Sequence, residues 1–325
     1  MIKVPVLFLI FNRPDTTSQV FEAIRRAQPN ELFIAADGPR ENREDEADRC
    51  RQVRQIATQV DWECQVKTLF RDKNLGCKAA VSSGIDWFFE HVEEGIIIED
   101  DCVPDQSFFG FCERLLTHYR NDTRVMMICG TNYLQDQIKI EESYYFSNYY
   151  PIWGWATWRR AWHFYDVEMS SWEELKARKQ IYWLFSNASI AGYYEAMFQL
   201  IRDGFDTWDI QWWYACIFQH GLAVVPKRNL ISNCGITGAH SNTQGDFRIN
   251  LPTSPVNYKN LMHPKFVIPD KSLNELTYKL SHAQVDVTEN EVKSSNQINA
   301  GLLNTFPASA LVKNLIKRVK NKIKI

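Results

Sequence analysis

The sequence predicts an α/β fold, a Rossmann-like, mostly parallel mixed sheet flanked by helices. Three observations predict it. Short apolar runs alternate with helix-period stretches over residues 4–129, the pattern of strand–helix units around a parallel sheet. One run, Gly95-Ile96-Ile97-Ile98, is apolar without a break, as a strand covered on both faces requires. Charged residues follow several runs at their carboxyl ends, where open α/β sheets take their ligands.

The first strand is Val4 to Phe11. Pro14 suits the first turn of the helix that follows, and Val20, Phe21, Ile24 and Ala27 share one helical face. Leu32 to Ala36 is the second strand and ends in Asp37-Gly38-Pro39. Residues 40–56 carry both signs of charge and read as a solvated helix. Val66 to Phe70 is the third strand; after Asn74-Leu75-Gly76 comes a helix with Leu75, Ala79, Ile85 and Phe89 facing inward. The fourth strand runs from Gly95 into Glu99-Asp100-Asp101. Pro104 then opens a helix bearing Phe108, Phe111, Cys112, Leu115 and Tyr119 on one side, and Val125 to Cys129 is the fifth strand. An aromatic stretch fills Tyr144 to Trp162, helical segments follow to about residue 219, and Leu222 to Val225 is a further strand.

Composition removes several classes of function. With 37 Lys+Arg against 39 Asp+Glu over 325 residues, the balanced charge argues against coating nucleic acid. The hydrophobic share of 45% excludes a chain disordered throughout. No two of the eight cysteines have C-x-x-C spacing, so a zinc or thioredoxin-like site is not indicated and a reducing, cytoplasmic compartment fits best. Val4 to Phe11 reads as a strand and not as a signal segment, and no run reaches the length of a spanning helix. There is no G-x-x-x-x-G-K-[ST] and no G-x-G-x-x-G, which argues against a P-loop or dinucleotide enzyme.

The chemistry gathers at strand ends. Glu99, Asp100 and Asp101 repel one another unless water or a cation screens them, and hard divalent cations such as Mg²⁺ and Mn²⁺ take one or two carboxylates plus substrate phosphates; the plainer reading is a strand-to-helix turn. Arg13 and Asp37 end the first two strands and belong to the same edge; an Asp can accept a base N–H and an Arg can hold a base or a phosphate, together a nucleotide-diphosphate cradle. The plainer readings are a turn at Asp37 and a surface cation at Arg13. Phe205-Asp206-Thr207-Trp208-Asp209 sets two carboxylates among aromatic rings, where partial desolvation makes an Asp a better base; Asp206 is alternatively a helix N-cap. His240 follows a glycine-containing loop and reads as a phosphate or metal ligand, or as a structural histidine.

In this order the motifs resemble the GT-A nucleotide-sugar glycosyltransferases, and within them are similar to the inverting N-acetylglucosaminyltransferase I family, over roughly residues 4–242. The resemblance implies a sheet holding a UDP-sugar donor and Mn²⁺ or Mg²⁺, and transfer to a glycan or lipid-linked acceptor. It implies donor contacts for Arg13, Asp37, Lys78, Glu99, Asp100, Trp155 and Trp208. It makes Asp101 the metal ligand, with His240 beside it, and Asp209 the general base. Tyr150 to Trp155 matches the family's proline and Gly-Trp stretch beside the donor sugar. Trp153, Trp155, Trp208 and Trp212 are candidates to stack on sugar faces, and for any single ring a core-building role is at least as good a reading. This sequence departs from the pattern at Ile210, where the family has a second Asp, and at Ser82 or Ser83, near which it has a helix-borne His. A sugar-nucleotide pyrophosphorylase is the alternative, although Phe11-Asn12-Arg13-Pro14 is no Gly-rich loop; a non-catalytic carbohydrate-binding protein is a third reading.

Three regions are expected: a catalytic domain over 1–264, a polar linker over 265–307, and a basic amphipathic helix over 308–325. The last carries six Lys/Arg and no acid. It either docks on the domain or frays, or lies on an anionic membrane surface, which would put the protein at the inner face of a membrane.

Overall fold

The computed structural model describes residues 1–41, 43–185, 187–235 and 248–280, without the side chain of Asp136. The chain alternates β1 (Val6–Ile10), α1 (Pro14–Ala27), β2 (Glu31–Ala36), α2 (Glu46–Ala57), β3 (Gln65–Phe70), α3 (Gly76–His91) and β4 (Glu94–Glu99). It continues through β5 (Cys102–Pro104), α4 (Gln106–Tyr119), β6 (Val125–Cys129), β7 (Tyr144–Ser147), β8 (Trp155–Trp158) and the short α5 (Arg159–Trp162), α6 (Trp172–Ala177) and α7 (Ile181–Leu184). Then come α8 (Ala188–Arg202), α9 (Asp209–Phe218), β9 (Leu222–Pro226) and β10 (Ile231–Asn233).

Eight strands make one mixed sheet in the order β3-β2-β1-β4-β8-β6-β9-β7. β1, β2, β3 and β4 run parallel, β8 enters antiparallel between β4 and β6, and β7 closes the far edge antiparallel to β9. The period-two alternation of β1 divides the core: Leu7 and Leu9 pack with Ile85 and Phe88 of α3 and with α8 and α9, whereas Val6, Phe8 and Ile10 pack with α1, α2 and α4. Burial on both faces explains the unbroken Ile96-Ile97-Ile98 run. The chain moves outward from β1 to β2 and β3 and then returns to the other side of β1 as β4. That reversal opens a crevice at the carboxyl ends of β1 and β4.

Several local expectations change. The Tyr144–Trp162 stretch holds two strands, β7 and β8, whose residues are all buried. Pro104 ends β5 instead of opening a helix; Asp105 is the cap of α4, its carboxylate accepting from the Ser107 N–H at 2.8 Å. On α3 the inward face is Ala80, Ile85, Phe88 and Phe89, while Leu75 lies at the crevice mouth, 48% exposed. Residues 271–280 are helical, with Leu273 buried in the core and Leu276, Tyr278 and Leu280 packed against it, so the first part of the expected linker belongs to the folded body. The basic helix 308–325 and the rest of the linker lie outside the described residues. No helix among the described residues is long and apolar enough to cross a membrane.

Candidate functional site

The turn after β4 places three carboxylates at the crevice, and Arg13, the residue before α1, answers them. Its guanidinium donates to Asp101 Oδ2 at 2.7 Å and to Asp100 Oδ1 at 2.5 Å. Asp100 Oδ2 also accepts from the Phe11 N–H at 3.1 Å, so this 2% exposed carboxylate ties the end of β1 to the end of β4. The turn is held from its other side by β10, which pairs antiparallel with β5, and by the Cys234 N–H donating to the Asp101 carbonyl at 2.8 Å. Gly235 then passes over the pair: a Cβ there would stand 2.2 Å from Asp101 Oδ2 and 3.1 Å from an Arg13 nitrogen. Only glycine leaves that carboxylate room.

One guanidinium does not balance three acids. Burial, then the charges of Asp101, Asp100 and Asp209, outweigh Arg13 and push Glu99 up to about 8. Burial pushes Asp100 up to about 6 although Arg13 opposes it. The ordinary values are 4.5 and 3.8. The folded protein therefore binds protons more tightly than the unfolded chain between about pH 4 and 8, and these groups lower its stability as pH rises through that window. The expected result without metal is a melting temperature that falls from pH 5.5 to pH 8. Glu99→Gln should flatten that slope, and Mn²⁺ should stabilise more at pH 8 than at pH 5.5. Identical slopes in the two proteins would rule out this source of strain.

The opposite wall is the start of α3 and the start of α9. Asp206 caps α3 from 129 residues away: its carboxylate accepts from the Cys77 N–H at 3.0 Å and the Lys78 N–H at 2.8 Å. Gly76, at φ +82°, makes the approach possible, since a Cβ there would meet Asp206 Oδ2 at 2.8 Å. Losing a cap of this kind typically costs about 1 kcal/mol, so Asp206→Ala is expected to lower urea-unfolding stability by that order and Asp206→Asn by less. Asp209 opens α9 and is half-buried. Its Oδ1 accepts from the Thr207 hydroxyl at 2.5 Å. The negative charges of Asp209 and Glu99 both act on the Cys77 thiol, which burial above all holds protonated.

Arg13, Glu99, Asp101 and Asp209 thus meet in one crevice. Other expected residues take different positions. Trp155 and Trp208 are 1% and 2% exposed and stack on each other, ring centroids 5.8 Å apart, in a cluster with Trp162 and Trp212, so they build the crevice floor and present no face to a sugar. Trp153, half-buried, is the indole of that group left at the surface. Asp100 is a structural counter-ion instead of a donor contact. The Asp37 carboxylate accepts from the N–H groups of Gly38 (2.9 Å) and Leu75 (3.0 Å) and from the Asn74 amide (2.8 Å), so it shapes the 74–75 turn and has little left for a base. Lys78 donates from Nζ to Glu168 at 2.9 Å. His240 lies outside the described residues. Sequence reasoning missed Cys77; it offered Asp206 as a helix N-cap without placing that cap on α3, of which the Asn74-Leu75-Gly76 turn was the one local sign.

Among the described residues no three ligating side chains converge on a point suited to a metal ion. The donor set, Asp101 with Glu99 nearby, suits Mg²⁺ or Mn²⁺ completing its shell with phosphate oxygens and water, and not a closed protein cage.

No protein-family model matches the sequence, and no curated protein matches it. Solved structures that match include HddC from Yersinia pseudotuberculosis, 8% identical over 38% of this chain and 56% of that one, TM-score 0.26. Another is the 4-diphosphocytidyl-2C-methyl-D-erythritolsynthase of Anaerococcus prevotii, 8% identical over 69% and 88%, TM-score 0.35. A third is a UDP-glucose pyrophosphorylase complexed with UDP-glucose, 14% identical over 45% and 62%, TM-score 0.25. The match spans little more than half of HddC and less than two thirds of the pyrophosphorylase. Likeness this low carries no conclusion about activity.

Proposed function

We propose that this protein is a metal-dependent inverting glycosyltransferase that takes its sugar from a nucleoside diphosphate donor, UDP by preference, and gives it to an acceptor hydroxyl. The observation that supports it is the meeting of an under-neutralised acidic turn with a separate carboxylate, Asp209, across one switch-point crevice. Asp209 takes the acceptor proton while that oxygen bonds to the anomeric carbon; the bond to the diphosphate oxygen breaks, its electron pair leaving with UDP, and the configuration inverts. Arg13 holds Asp101 at the crevice, and Gly235, having no side chain, lets the backbone pass close over that carboxylate. When bound, Mn²⁺ or Mg²⁺ held by Asp101 and the donor phosphates supplies Lewis-acid neutralisation of the leaving diphosphate.

A panel of nucleotide sugars incubated with the protein and Mn²⁺ tests this reading. Release of UDP from one donor, accelerated by an acceptor and abolished by EDTA, is the expected result. Turnover only of a nucleoside triphosphate with a sugar 1-phosphate would assign the crevice to a sugar-nucleotide pyrophosphorylase. Sugar binding indifferent to nucleotide and metal would make the protein a carbohydrate-binding module.

A further inference from the structure

The strap of chain that crosses α4 and the edge strand β7, residues 256–270, takes no part in the reaction above. It is pinned along its length. The Val256 N–H donates to the Ser107 hydroxyl at 3.0 Å, and the Tyr258 ring closes on Gly110 of α4, where a Cβ would stand 2.4 Å from it. Farther on, the Met262 N–H donates to Ser143 Oγ and the Ser143 N–H to the Met262 carbonyl, both at 2.9 Å, and the Asp270 N–H donates to the Phe146 carbonyl at 2.9 Å. Despite these ties the strap turns apolar side chains outward: Met262, Phe266 and Ile268 are 54%, 62% and 63% exposed. Val267 and Pro269 line a mostly apolar hollow of about 400 Å³ with Leu184 and Phe185, at the end of α7, and the neighbouring Trp183 is 83% exposed. Charge on this surface is mainly positive. Residues 259–268 hold Lys259, His263 and Lys265, all exposed, and no acid. The His263 ring stacks on His118 of α4, centroids 4.1 Å apart, and its Nδ1 shares a 2.7 Å hydrogen bond with the Tyr144 hydroxyl. Both histidines line a cavity of about 610 Å³ just ahead of β1, which adds Lys3, Arg114 and Arg120 against Glu94 and Glu113. Arg120 already holds Glu94, at 2.6 and 2.9 Å, and Glu113 takes the Lys3 N–H at 2.7 Å.

We infer that this face, the strap and the cation-rich cavity beside it, docks the folded body on an anionic phospholipid membrane. The inference stands apart from the glycosyltransferase reading. Large apolar side chains held outward by a pinned backbone mark a contact surface, and the charge around them says what it contacts. Interfacial binding needs apolar burial at the acyl boundary and attraction to anionic headgroups together. Met262, Phe266 and Ile268 supply the first, with Trp183 suited to the headgroup level. Lys259 and Lys265 supply the second, and Arg114 and His118 in the cavity can donate to phosphate oxygens. A second copy of the chain fits worse, because a two-fold contact would press one positive face against the same positive face of its partner.

Co-sedimentation of the full chain with vesicles tests this, comparing phosphatidylcholine alone with an equal mixture of phosphatidylcholine and phosphatidylglycerol. The expected result is binding to the anionic vesicles only, weakening as salt rises. Phe266→Ser with Ile268→Ser, and separately Lys259→Gln with Lys265→Gln, should each weaken that binding at least about tenfold. Both pairs should leave the melting temperature unchanged, since all four side chains are exposed. If the first pair unsettles the fold, the second, which keeps the apolar side chains, decides. A wild-type chain that stays in the supernatant, or binds neutral and anionic vesicles equally, would overturn the inference. So would binding that survives both pairs, which would assign the membrane contact to residues 308–325. A wild-type dimer that ignores vesicles and is dissociated by the Phe266 and Ile268 substitutions would give the face to a second copy instead.

Discussion

Asp209→Asn is expected to lower kcat about 10²- to 10⁴-fold, the range general-base assistance supplies, with little change in melting temperature or in UDP affinity. The substitution suits the question because it is isosteric. Asn Oδ1 still accepts the Thr207 hydroxyl, now held at 2.5 Å. What disappears is the capacity to take a proton. The pH profile carries a second signature: wild-type kcat should fall on the acid side as the base protonates, and the residual activity of Asp209→Asn should not. An Asn variant within tenfold of wild type would mean that the base is elsewhere, and Glu99, the crevice carboxylate without an Arg13 bond, would then be the residue to replace.

Arg13→Met is expected to destabilise the protein by about 3 kcal/mol or more, the usual consequence of removing one partner of a buried ion pair. The reason is Asp100. Its side chain is 3% exposed, and among the described residues it keeps, without Arg13, only the Phe11 N–H against the repulsion of Asp101 and Glu99. The loss should shrink on acidification, because Asp100 is held near 6 even with Arg13 present and stands higher without it, so at pH 5 it protonates and sheds the penalty. Urea unfolding of wild type and Arg13→Met at pH 5 and pH 8 reads this directly. Asp100→Asn added to Arg13→Met should recover part of the stability at pH 8, the non-additivity expected of a coupled pair. Additive losses would show that Arg13 acts through packing alone.

Much of this architecture was legible in the sequence, for physical reasons. β1, β2, β3 and β4 are short apolar runs bounded by turn residues, and burial on two faces leaves an unmistakable trace in Ile96-Ile97-Ile98. The position of Glu99, Asp100 and Asp101 followed from where that run stops. β7 and β8 were not legible, because aromatic residues facing both core layers give Tyr144–Trp158 neither helical nor alternating periodicity. The tryptophans left two readings open for a related reason. Trp155 and Trp208 sit in motifs that suggest a sugar face, yet an indole suits a core equally well, and only the packing against Trp162 and Trp212 decides. Long-range polar contacts were hidden altogether. The Arg13 pairs span 87 and 88 residues and the Asp206 cap 128 and 129, so composition named the residues without revealing that Arg13 would bind the acids, or that Asp206 would belong to α3 instead of the helix beside it. Asp37 shows the same limit: its place at a strand end was clear, but its commitment to Asn74 and Leu75 arises from a loop folding back.

The central claim is that this sheet edge binds a nucleoside diphosphate and a divalent cation together. Calorimetric titration of UDP into the protein, with and without Mn²⁺, tests it most directly. Mn²⁺ should tighten UDP binding at least about tenfold, a coupling of 1.4 kcal/mol or more, and Asp101→Ala should abolish this gain. UDP affinity that is the same with and without the metal, or metal-dependent affinity that survives Asp101→Ala, would contradict it.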